Sequence, residues 1–85
     1  MDDKIKEIIN NGESQSVEFK SSFQKDVIET IVAFANTKGG KIYIGITDGK
    51  KISGVHVSEE TVQNYINTIK QNTTPTVIPD VEIIE

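Results

Sequence analysis

Three carboxylates, Glu13, Glu18 and Asp48, are the residues of this chain best suited to chemistry. Glu13 follows the glycine of an Asn11-Gly12 pair. Glu18 stands on the polar side of a short alternating run. Asp48 sits in an Asp48-Gly49 pair between two apolar segments. If the first run lies near that pair, the three acids meet at one sheet edge. Clustered hard oxygens suit Mg²⁺ or Mn²⁺, and such an ion activates water and stabilises a phosphodiester transition state. Each acid also has a plainer role. Asp-Gly is a common hairpin-turn pair. Glu18 can pair across its strand or with Lys20 on the same side, and Glu13 can be an exposed surface acid.

The second group is cationic. Lys20, Lys25, Lys38, Lys41, Lys50 and Lys51 face only Asp26, Glu29 and Asp48 between residues 20 and 51, although the whole chain carries a net charge of −4. Phosphate binding follows the local face rather than the total. All nine basic residues are lysines, so no guanidinium fork is present. Lys20, Lys38, Lys41, Lys50 and Lys51 are the candidate phosphate contacts. Tyr43 is the candidate platform for a base, or else packs beneath a helix. Gly39-Gly40-Lys41 is not a nucleotide-binding loop. That pattern needs a glycine at position 35 and a hydroxyl residue at 42, where Ala35 and Ile42 stand. His56 has no Cys, Ser or Asp arrangement to make it a catalytic base and reads as a loop residue.

The elements that must position these groups follow from periodicity. Asp2 or Asp3 caps a first helix with Ile5, Ile8 and Ile9 along one stripe, ended at Asn11-Gly12. Ser16 to Lys20 is a half-buried strand with Val17 and Phe19 on one side. A helix from about Gln24 to Asn36 carries Ile28, Ile31, Val32 and Ala35 in a stripe widened by Val27 and Phe34. That stripe predicts a central helix largely covered by the sheet. Gly39-Gly40 ends it. Lys41 to Thr47 alternates, Asp48-Gly49 turns, and Lys51 to Val55 returns as a paired strand. Ser58, with Glu59 and Glu60, starts a third helix buried through Val62, Tyr65, Ile66 and Ile69. Asn72 to Thr76 is a polar loop, and Val77 to Glu85 is extended around Pro79. The expected fold is α+β: a small mixed or antiparallel sheet, with a β-hairpin at about 41–55, packed against two or three helices.

Size and composition fit one small domain over residues 1–85. The hydrophobic fraction of 35% makes a modest core. The apolar run at Val81 to Glu85 suggests truncation at the C-terminal end. The absence of cysteine excludes disulfides and zinc-thiolate sites and suits a reducing compartment, the cytoplasm. No apolar run approaches the roughly 20 residues that span a bilayer, so no membrane partner is expected.

Four blocks, in order, resemble the Schlafen-type AlbA-like DNA-binding domain family. They are Glu13-Ser-Gln-Ser-Val-Glu18-Phe-Lys20, Ala33-Phe-Ala-Asn36-Thr-Lys-Gly39-Gly40, Ile42-Tyr-Ile-Gly45-Ile-Thr-Asp48-Gly49 and Ile52-Ser-Gly54-Val55. Many bacterial relatives are catalogued as transcriptional regulators, often with a winged helix further along. Animal relatives include metal-dependent endoribonucleases whose three acidic positions match Glu13, Glu18 and Asp48. The resemblance therefore implies a nucleic-acid-binding domain of a transcriptional regulator, needing no cofactor for binding. Its alternative is a Mg²⁺- or Mn²⁺-dependent endoribonuclease. The animal nuclease core has two related lobes where this chain has one, and a homodimer would supply the second. A further alternative is an oligomerisation module with vestigial acids.

Overall fold

The computed structural model describes residues 2–47 and 49–83, with backbone alone for Asp2 and Asp3. Three helices and two strands follow in the order α1 (Asp2–Asn11), β1 (Val17–Lys20), α2 (Lys25–Ala35), β2 (Lys41–Ile44) and α3 (Glu59–Gln71). The class is α+β, but the sheet is neither mixed nor antiparallel. It has two strands, β1 and β2, and they run parallel. The reason is α2. A helix between two strands carries the chain back to the end where the first strand began, so the second runs the same way.

The expected hairpin at 41–55 shrinks to one antiparallel bridge between Ile46 and Ile52. The chain does turn back, with Thr47 N–H on the Lys51 carbonyl at 2.8 Å and Lys50 N–H on the Thr47 carbonyl at 2.9 Å. Gly45 stops the ladder from extending. At φ +104° it leaves strand geometry, and its carbonyl takes both Ser53 N–H and Gly54 N–H, at 2.8 and 3.0 Å. A side chain there would stand 3.2 Å from the Gly54 Cα. The glycines of two separate sequence blocks thus touch.

Register decides which faces combine. Val17, Glu18, Phe19 and Lys20 lie opposite Lys41, Ile42, Tyr43 and Ile44. Partners in a parallel pair share a face. Phe19 therefore sits with Tyr43, edge to face at 6.0 Å between ring centres, and Glu18 shares its side with Ile42. Lys41 N–H bonds the Ser16 carbonyl at 2.8 Å, and Gly45 N–H bonds the Lys20 carbonyl at 2.6 Å. Alternate residues of a strand face each neighbour, so the Val17 and Phe19 amides point away from β2.

Phe19, Val27, Ile46 and Ile69 are buried among the described residues. On α2 the covered side is rotated from the expected stripe. Val27 is only 2% exposed, whereas Val32 is 38% exposed and Ala35 is also exposed. Phe34 fixes that rotation by lying on Gly40, where a Cβ would meet its ring at 2.6 Å. Ser58 caps α3 as expected, its Oγ accepting Thr61 N–H at 3.2 Å. Phe23 stacks on Tyr65 at 4.1 Å, which ties the segment before α2 to α3. Thr73 is buried, donating to the Ile69 carbonyl and accepting from Val77 N–H, each at 2.8 Å. Residues 77–83 hold no regular element and leave Ile78, Val81 and Ile83 exposed. No helix among the described residues is long and apolar enough to cross a membrane.

Candidate functional site

The turn after α1 and the strand β1 bring two of the three acids together. The Glu13 carboxylate lies within hydrogen-bonding reach of Glu18 and accepts a hydrogen bond from Phe19 N–H at 3.2 Å. Two carboxyl groups bond to one another only through a shared proton. The Glu18 carboxyl contributes most to holding Glu13 below its ordinary carboxylate range. The Phe19 amide and the Lys20 charge add to it, and a slight loss of solvent opposes them. Asp48 lies outside the described residues. Among the described residues, no group of three His, Cys, Asp or Glu side chains can hold a metal ion.

The lysines divide into separate places. Lys20, at the end of β1, donates to Asp26 Oδ2 at 2.8 Å, and this pairing holds the Asp26 carboxyl below its usual range. Lys50 reaches the C-terminal end of α1, its Nζ 3.7 Å from where a Gly12 Cβ would stand. That position is favourable for a cation. Lys51 is exposed, and its backbone N–H is taken by Thr47 Oγ1 at 3.2 Å. Lys38, Lys41 and Tyr43 do come together. They line a broad open groove of about 1220 Å³ between α1 and the turn that joins α2 to β2.

The groove has a graded lining. Ile8, Val17 and Tyr43 are its half-buried side chains, while Lys4, Lys38 and Lys41 are exposed. Glu7 is the acid among its lining residues. The turn is shaped by the Phe34 carbonyl, which accepts Thr37 N–H, Thr37 Oγ1–H and Gly39 N–H at 2.9–3.0 Å. Gly39, at φ +87°, then lets the chain swing into β2 with Lys41 lining the groove. Lys4 was missed by sequence reasoning centred on residues 20–51. Its signal is the spacing of Lys4, Glu7, Ile8 and Asn11, which share one face of α1 and all line the groove. Lys4 also approaches Glu82 at 3.7 Å, with both side chains well exposed.

No solved structure matches the chain. The family model described as Schlafen, AlbA_2 matches residues 13–85, starting on Glu13 and running through both strands and the touching glycines. With most of its length matched, the chain belongs to the Schlafen, AlbA_2 family.

Proposed function

We propose that the chain is a nucleic-acid-binding module and that the groove beside α1 is its binding surface. The observation that carries this reading is that Lys4, Lys38 and Lys41 line one groove together with Tyr43. Lysine ammonium groups neutralise phosphates without reading bases. An aromatic ring offers a base a stacking partner. Membership of the Schlafen, AlbA_2 family is consistent with such a ligand. In this reading the module serves a cytoplasmic transcriptional regulator. The test is fluorescence anisotropy with labelled single- and double-stranded oligonucleotides at about 50 mM salt, where phosphate contacts are strongest. Binding should be measurable for at least one probe. No binding to any of them ends the proposal.

The contact between Glu13 and Glu18 favours a second reading, a metal-dependent endoribonuclease. Two carboxylates in contact need a proton or a cation between them, and their hard oxygens fit Mg²⁺ or Mn²⁺. Glu13 and Glu18 would hold the ion, with Asp48 as the third ligand that the family resemblance implies. A bound ion would supply an activated water and stabilise charge on the phosphate. A homodimer would provide the second lobe. The test is incubation with tRNA and Mn²⁺. Cleavage by Asp48→Asn at the wild-type rate rules this reading out.

A further inference from the structure

We propose that the groove takes single-stranded nucleic acid in preference to duplex, with one unstacked base on Tyr43 and the adjoining phosphates on Lys38 and Lys41. This rests on the nucleic-acid reading above and narrows it. The groove's lining is ordered by burial. Among its lining side chains the half-buried ones, Ile8, Val17 and Tyr43, are apolar or aromatic, and the charged ones, Lys4, Glu7, Lys38 and Lys41, are all exposed. A phosphate gains nothing from those half-buried side chains, whereas the flat face of a base does. In a duplex the base faces are stacked against one another, and only base edges are displayed, inside grooves that a protruding helix or ribbon must enter. Here the shape is reversed. The protein offers a concavity between α1 and residues 37–40. The strand, not the protein, must therefore supply the inserted group.

Side-chain chemistry agrees. The chain has nine lysines and no arginine, so the rigid, planar guanidinium fork that suits base-edge readout is absent, and its cations act as point charges on phosphates. Lysines tracking a backbone beside an aromatic platform match single-strand binding sites. Tyr43 is also well held. Its ring packs edge to face with buried Phe19 and is only half-exposed, so little side-chain freedom is lost on stacking.

The experiment compares labelled oligothymidine of about 15 nucleotides with a duplex of the same length at one fixed low salt concentration. Wild type should bind the single strand at least about fivefold more tightly, the loss expected when one base stack is missing. Tyr43→Leu keeps an apolar side chain over Phe19 and should remove most of that preference. Lys38→Ala with Lys41→Ala should weaken both probes together. Equal or tighter duplex binding overturns this inference and leaves the groove reading standing. An unchanged preference in Tyr43→Leu, with circular dichroism unaltered, overturns the role of Tyr43 and with it the inference. No binding to either probe overturns both readings.

Discussion

The Glu18 carboxyl beside it, the Phe19 amide and the positive charge of Lys20 all favour the charged form of Glu13. Its folded-state value therefore lies below its ordinary 4.5. The resulting stabilisation is complete above about pH 4.5 and is lost as pH falls through the lowered value. Because Glu13 is exposed, solvent screening limits the effect. Glu13→Ala should cost about 0.5–1 kcal/mol at neutral pH. Urea unfolding at pH 7 and near pH 3 should show that difference shrinking in acid. Lys20 invites a separate comparison. Its ammonium already bonds Asp26, and it lies outside the groove. Lys20→Ala should change oligonucleotide affinity less than about twofold, whereas Lys41→Ala should lower it severalfold, both read by anisotropy. The identities of these residues were legible in the sequence. The Lys20–Asp26 pairing was not, because it joins a strand end to a helix start across a spacing that no regular element dictates.

Among the elements, the helices were the most legible. Ser58 followed by two acids marks the start of α3, and the structure uses that oxygen as the cap. Ser58→Ala should lower stability by about 1 kcal/mol in thermal or urea unfolding. The strands were legible as alternating runs but not in their pairing. Alternation shows which residues share a side of one strand and not which side of the next strand joins them. Only the register puts Phe19 with Tyr43 rather than with the isoleucines. The parallel direction was available from the strand–helix–strand order. The strong turn pair at Asp48-Gly49 drew the expectation toward a hairpin instead. Gly45 is what prevents that hairpin from extending. Gly45→Ala meets both a left-handed backbone and the Gly54 main chain, so a loss of about 2 kcal/mol or more is expected in urea unfolding.

At the scale of the whole molecule, an acidic chain carries a locally basic groove. Binding there should depend on salt, but gently. With two or three lysines engaged, the slope of log affinity against log salt should lie near −1.4 to −2 for a single strand, roughly 0.7 per phosphate neutralised. A titration across salt concentrations measures it, and a much steeper slope would mean that lysines outside the groove take part. The groove itself was only half legible in the sequence. Its Lys38, Lys41 and Tyr43 side stood out, while its α1 side comes from a helix outside the lysine-rich stretch. The fold that holds it is slight, and both strands are edges. Along the outward side of β1, Val17 is bridged to Ser14 and the Phe19 amide is covered by the Glu13 carboxylate. That carboxylate acts as a stopper on this edge. Acid below about pH 4.5, where the carboxylate begins to take up a proton, weakens it and opens a main-chain donor to any neighbouring molecule. In concentrated stocks, cloudiness on acidification should therefore precede loss of helix, and the protein keeps best in buffers well above the carboxylate range.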